Sequence, residues 1–263
     1  MKLAIQENLL PGTTAIERFQ LACELGFKGV EVWGRGIGER IRELEEASST
    51  TGIPISTICS GYRGDLLGAE RRDRELAISD LKELLSIAAE LGAVGVIVVP
   101  TFRGPKLPDL WPLYSVEEIE RRILVEELRD VGAYADDVGA YVLLEPLNRY
   151  ETHFMHRLEQ AVAICEEVGC EYVKVMADFF HMNIEEADIP ASLRLAAPHL
   201  KHVHLADSNR LPPGFGHTDF QRAFRVLREV DYQGFMALEC RVPEPRIESL
   251  RKSVEYLRRM VEE

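Results

Sequence analysis

Several hallmarks of secreted, membrane and nucleic-acid-binding chains are missing from this sequence. Its five cysteines (Cys23, Cys59, Cys165, Cys170 and Cys240) are odd in number and contain no C-x-x-C pair. A disulfide framework is therefore not expected, and the thiols read as reduced residues of a cytoplasmic protein. The longest apolar stretch, residues 93–100, falls far short of the ~20 residues that a membrane-crossing helix requires. Residues 1–7 carry no leader-like apolar run. Positive charge is in deficit, with 31 Lys+Arg against 44 Asp+Glu and a net charge of −13. That balance argues against nucleic-acid or anionic-membrane partners. No G-x-G-x-x-G follows a strand pattern, and the glycine-rich run at 34–38 has the wrong spacing and no Lys-Ser/Thr partner for a phosphate loop. No low-complexity or composition break divides the chain.

What is present is a regular alternation. Short β-branched runs at 3–6, 29–33, 55–60, 94–99, 141–145, 172–178, 202–206 and 235–239 alternate with amphipathic ones at 14–25, 37–51, 71–91, 116–138, 157–168, 187–196, 219–229 and 247–261. Eight strands each followed by a helix, in 263 residues, predict one parallel (β/α)₈ TIM barrel over 1–263. Gly26, Gly92, Gly139 and Gly169 close helices because glycine tolerates a left-handed C-cap. The longer irregular stretches, 61–68, 101–113, 148–155 and 209–218, all follow strands and so belong to the face where barrel active sites form.

Strands five to eight end in Glu145, Asp178, His204 and Glu239, each a polar group closing an apolar run. Side chains alternate across a strand, so an inward Glu145 brings Leu143 and Tyr141 inward, Asp178 brings Met176, and Glu239 brings Ala237 and Phe235. Four adjacent strands would then aim three carboxylates and one imidazole at a single point. Carboxylates crowded in a low-dielectric pocket repel one another unless neutralised. One divalent cation resolves this, and three oxygens with one imidazole suit Mn²⁺ foremost, with Mg²⁺ or Co²⁺ as alternatives.

The run Glu145-Pro146-Leu147-Asn148-Arg149-Tyr150-Glu151, with Asp178-Phe179-Phe180-His181, His202-Val203-His204 and Leu238-Glu239, resembles the xylose isomerase-like barrels. Within them it is most similar to the ketose 3-epimerases of the D-tagatose/D-psicose/L-ribulose group. The resemblance implies that Glu145, Asp178, His204 and Glu239 hold the metal, and that Glu145 and Glu239 are also the acid/base pair. It further implies that His181 and Arg210 hold the substrate near its carbonyl and that Glu151 binds a hydroxyl while supporting the base.

The implied reaction is C3 epimerisation of a ketose through a metal-stabilised enediolate, which makes the chain a carbohydrate isomerase. The same constellation permits aldose–ketose or hydroxypyruvate-type isomerisation, or dehydration of an inosose or dehydroshikimate. An apurinic endonuclease-like DNA-repair hydrolase uses the same fold, but its metal cluster also needs early histidines. All seven histidines here lie at or beyond His153.

Among other residues, Glu31 is expected inside the barrel as a hydrogen-bonding group, and His202 as its like one layer below His204. His217 and Asp219 are expected to build a loop and cap the seventh helix. Trp33, Cys59, Phe102 and Trp111 are placed where a wall for the sugar would stand. Arg35, Arg63, Arg103, Lys106, Arg149 and Arg241 lie in loops within reach of a terminal phosphate, so free sugar and sugar phosphate both stay open. A homo-oligomer, dimer or tetramer, is expected.

Overall fold

The computed structural model describes residues 1–261. Eight parallel strands close on themselves in sequence order: β1 (Lys2–Gln6), β2 (Gly29–Trp33), β3 (Ile55–Cys59), β4 (Gly95–Val98), β5 (Tyr141–Leu144), β6 (Val173–Asp178), β7 (Leu200–Leu205) and β8 (Phe235–Leu238). Around them run α1 (Ala15–Leu25), α2 (Ile41–Thr51), α3 (Arg71–Glu90), α4 (Val116–Val138), α5 (Leu158–Val168), α6 (Phe179–Glu185), α7 (Ile189–Ala196), α8 (Phe220–Glu229) and α9 (Arg246–Val261). The expected barrel is the observed one.

Both faces of a parallel barrel strand are covered, which is why these strands read as near-continuous apolar runs. Alternation still sorts them. Val142, Leu144, Val173, Val175, Met236 and Leu238 face the helices. Tyr141, Leu143 and Met176 pack inside with Cys59 and Ile97, while Phe235 and Ala237 pack inside with Ala4. These inner residues share their faces with Glu145, Asp178 and Glu239, as the two-residue period requires. Glu145 and Glu239 fall one residue past their strands, yet their amides continue the ladder, to Val98 O at 3.0 Å and Leu205 O at 3.3 Å.

Local signals fix the helix ends. Thr14 with Glu17, and Ser115 with Glu118, form reciprocal capping boxes at the starts of α1 and α4. Gly26, Gly139 and Gly169 take the left-handed C-cap, with φ of 89°, 77° and 69°. The helix expected over 37–51 is interrupted: a 3-10 turn, Ile37–Glu39, precedes α2, and Arg40 between them is tied to Glu7 and Glu43. The helix expected over 187–196 begins later, where Asp188 accepts from the Ala191 amide. A short helix, α6, had not been anticipated. It starts directly on Asp178, and seven residues are too few to display a helical period. Phe179 anchors it by stacking on Phe220 of α8, ring centroids 5.5 Å apart.

Candidate active site

Each of the four strand-end groups is oriented by something specific. Asp178 divides its oxygens: Oδ1 accepts the Phe180 and His181 amides at 2.7 and 3.3 Å, capping α6, and Oδ2 faces the barrel mouth. His204 is wholly buried, and its Nε2 lies 2.9 and 3.1 Å from the two oxygens of Glu31. Its Nδ1 has no hydrogen-bond partner. That nitrogen looks instead at Glu239 Oε2, Glu145 Oε1 and Asp178 Oδ2, at 3.2, 3.7 and 3.7 Å. Glu145, Asp178, His204 and Glu239 each offer one ligand atom, all within 4.8 Å of one another.

An orphaned buried imidazole nitrogen ringed by three carboxylate oxygens is the donor set of a divalent-cation site. The residues therefore fit the metal that their types implied.

Burial pushes the Glu145 carboxyl up from its ordinary range. Burial also acts on Asp178, but the Arg210 guanidinium and the neighbouring imidazoles overcome it and hold that carboxyl well down. Desolvation would lower the His204 imidazole, yet Glu31 and Glu239 raise it well above its usual value.

Arg210 donates through Nη1 to Asp178 Oδ2 at 2.6 Å and through Nη2 to Glu239 Oε2, with its guanidinium 4.8 Å above the Phe180 ring. It reaches there from a left-handed backbone, φ 61°, in the loop after β7. Asp207 organises that loop by accepting the amides of Ser208, Gly214, Gly216 and Thr218. Burial works against ionisation of Asp207, but these four donors keep its carboxyl below the ordinary value.

His181, buried beside Asp178, accepts at Nδ1 from Asn148 N and Nδ2, at 3.2 and 2.7 Å, so its proton belongs on Nε2, 3.8 Å from Asp178 Oδ2. The structure does not bring Glu151 into the cluster: it is exposed, and Asn148 Nδ2 donates to its carboxylate at 3.2 Å. Trp33, Phe102 and Trp111 stand exposed on the rim, while Cys59 is buried inside.

Among the cations considered for a phosphate, Arg63 is paired with Asp80, Lys106 with Asp65 and Arg149 with Glu185. Asp219 caps α8, as expected. A cleft of about 730 Å³ lies to one side, lined by Gly34, Arg35, Tyr62 and Arg63 among others, and none of the four clustered residues lines it.

Sequence reasoning missed Gln6 and Thr57. Gln6 Nε2 donates to Glu239 Oε1 at 3.0 Å and to Glu31 Oε1 at 2.9 Å, and Thr57 Oγ1 donates to Glu31 Oε2 at 2.6 Å. The sequence does carry a signal for Gln6, a polar residue closing the apolar run Leu3-Ala4-Ile5 as Glu145, Asp178 and Glu239 close theirs.

Known proteins carry the same architecture. A family model described as "Xylose isomerase-like TIM barrel" matches residues 19–260. A 3-dehydro-D-guloside 4-epimerase of Escherichia coli is 34% identical over 262 residues, 98% of this chain and 99% of that protein. A D-psicose 3-epimerase of Agrobacterium fabrum is 34% identical over 226 residues, covering 82% of this chain and 76% of its own. The crystal structure of an Escherichia coli 3-keto-D-glucoside 4-epimerase, in apo form, superposes with a TM-score of 0.91 at 32% identity, over 98% of this chain and 99% of the other. With its closed barrel, its strand-end cluster and matches running almost from end to end, this chain belongs to the xylose isomerase-like TIM barrel family and stands among its epimerases, which are isomerases.

Proposed function

We propose that the protein is a divalent-metal-dependent carbohydrate epimerase that inverts a carbon next to a ketone. The observation that carries this reading is the unpartnered His204 Nδ1 facing the carboxylates of Glu145, Asp178 and Glu239. These four residues would hold the ion, Mn²⁺ foremost, with Mg²⁺ or Co²⁺ as alternatives. When bound, the cation supplies Lewis-acid polarisation of the sugar carbonyl and its neighbouring oxygen, worth several kcal/mol of charge stabilisation.

The remaining work falls to side chains. Glu145 and Glu239 enter from the two ends of the arc formed by β5 to β8, so a sugar seated between them meets a carboxylate on each side. One takes the C–H proton and the other returns a proton to the opposite face, which is inversion. His181 Nε2 and the Arg210 guanidinium supply donors for sugar oxygens near the carbonyl. Glu151 is assigned a hydroxyl contact at the outer rim. Arg63, Lys106 and Arg149 are committed to acidic partners, which leaves Arg35, Arg103 and Arg241 as the loop cations available to a phosphate, so free sugar and sugar phosphate both stay open.

Two substrates follow from the relatives. End-to-end similarity to the guloside 4-epimerase supports a keto-glycoside inverted at C4. The E-P-L-N-R-Y-E run and the psicose 3-epimerase match support a free ketose inverted at C3. The test is deuterium wash-in from D₂O with Mn²⁺ present, read by NMR for both substrate types. Label at C4 of a 3-keto-glycoside selects the first, and label at C3 of a ketose the second. Exchange only at an aldehyde-end carbon would replace epimerisation with 1,2-isomerisation.

Free cysteines and the lack, among the described residues, of a helix long and apolar enough to cross a membrane support a cytoplasmic setting. Pairing of barrels into a dimer or tetramer is read by sedimentation.

A further inference from the structure

We infer that Glu31 and Gln6 are positioning residues for the metal-binding ring: Glu31 holds the His204 imidazole with Nδ1 turned to the carboxylates, and Gln6 holds Glu239. The inference rests on the metal-dependent reading above and goes beyond it, because neither residue belongs to the ring.

Glu31 is fully buried at the centre of the barrel. Its Oε1 accepts from Gln6 Nε2 and His204 Nε2, both at 2.9 Å. Its Oε2 accepts from Thr57 Oγ1 at 2.6 Å and His202 Nε2 at 2.8 Å. Four donors from β1, β3 and β7 thus occupy the four lone-pair positions a carboxylate has. The trio of Glu31, His202 and His204 has the residue types of a second metal site, but these contacts are hydrogen bonds of ordinary length and leave Glu31 saturated. A group needed only to fill the barrel would be apolar, as Ile97, Leu143 and Met176 are in the same interior. A carboxylate kept at that depth serves the imidazole it touches.

The service is orientation. An imidazole has two nitrogens and two ways to present them. While Nε2 donates to Glu31, the only nitrogen with a free lone pair is Nδ1, and it faces Glu145, Asp178 and Glu239.

Gln6 does the same for Glu239. Its amide nitrogen carries two hydrogens, one for Glu31 Oε1 and one for Glu239 Oε1 at 3.0 Å. Turned the other way, the amide would set its oxygen against two carboxylate oxygens, so electrostatics fix the orientation. With Oε1 tethered, Glu239 keeps Oε2 toward His204 Nδ1, at 3.2 Å.

The test begins with Mn²⁺ titrations followed by the electron paramagnetic resonance of the free ion. Wild type should bind; if it does not, the metal-dependent reading fails and this inference with it. Glu31→Gln, melting like wild type without metal, should bind Mn²⁺ 10–100-fold more weakly. Equal affinity in that folded variant overturns the inference while leaving the metal-dependent reading intact. Should Glu31→Gln not fold, wild type decides. In ¹⁵N-histidine-labelled protein loaded with Mg²⁺, His204 should keep a proton on Nε2 and present Nδ1 to the ion; the reverse arrangement overturns the inference. Gln6→Met should lower kcat about tenfold or more, by an amount exceeding any loss of Mn²⁺ affinity. Unchanged kcat would remove Gln6 from the assignment.

Discussion

Two buried carboxylates, at opposite nitrogens of the His204 ring, have opposite surroundings. Glu31, in the first half of the barrel, is saturated by Gln6, Thr57, His202 and His204, and although burial favours its neutral form the two histidines hold its carboxyl well below the ordinary range. Glu145, in the second half, is also buried, but its nearest cationic neighbour is His204 Nδ1 at 3.7 Å, and burial drives its carboxyl up. One is a finished structural anion. The other is an anion with coordination to spare. The donors that fill Glu31 come from β1, β3 and β7, whereas β5, β6 and β8 bring carboxylate acceptors in excess. Chemistry belongs where buried acceptors outnumber protein donors, because there an added cation or substrate meets oxygens that the protein leaves short of partners.

The largest expected effect tests the second half directly. Glu145→Gln or Glu239→Gln should lower deuterium wash-in by about 10³-fold or more, since each residue both holds the ion and carries a proton. Glu151→Gln should cost about tenfold at most, expressed in KM, because its carboxylate is exposed and tied to Asn148. Similar losses in all three variants would erase the distinction. Next comes metal addition. Mn²⁺ at 100 times its Kd should stabilise the protein by about 2.7 kcal/mol. For a chain of this size that is a rise in Tm of roughly 5–10 °C by calorimetry, and Glu145→Gln should abolish most of it.

The sequence made the barrel and the strand-end cluster legible for one physical reason. A two-residue period in an apolar strand fixes which face each side chain takes, and the β/α alternation fixes which strands are neighbours. Leu143 beneath Glu145 and Met176 beneath Asp178 are that argument realised. Gln6 was missed although it obeys the same rule, and Gln6 and Glu31 are register partners on adjacent strands. The helix at Phe179–Glu185 was missed because its start signal is Asp178 itself, a residue read for its chemistry and not for its second oxygen. The position of Arg210 depends on the fold of a loop that Asp207 gathers through four backbone amides, and no local pattern in the sequence announces such a contact.

That loop supplies the third prediction. Asp207→Ala should strand the amides of Ser208, Gly214, Gly216 and Thr218, destabilise the protein by about 1–3 kcal/mol and raise KM by loosening Arg210. Hydrogen exchange should speed up over residues 208–218 and stay unchanged at the strand ends. Faster exchange throughout the barrel would mean that Asp207 supports the fold and not the loop.

The smallest effect extends the contrast between filled and unfilled carboxylates to a site without chemistry. Glu127 of α4 is ion-paired with Arg74, Oε1 lying 3.2 Å from Nε, while its Oε2 is buried and unpartnered. Burial outweighs the Arg74 charge and pushes the carboxyl up to about 7. A raised carboxyl pKa means that the folded state holds the proton more tightly than the unfolded chain. The stabilisation is then fully present below the ordinary value near 4.5 and is lost as pH rises through about 7. Glu127→Gln removes the group that must ionise, so relative to wild type its Tm should be higher at pH 8 than at pH 5, with most of the change between pH 5 and 7. A variant that tracks wild type in parallel across that window would show that the Arg74 contact already satisfies Glu127, and that an unfilled oxygen by itself does not distinguish one buried acid from another.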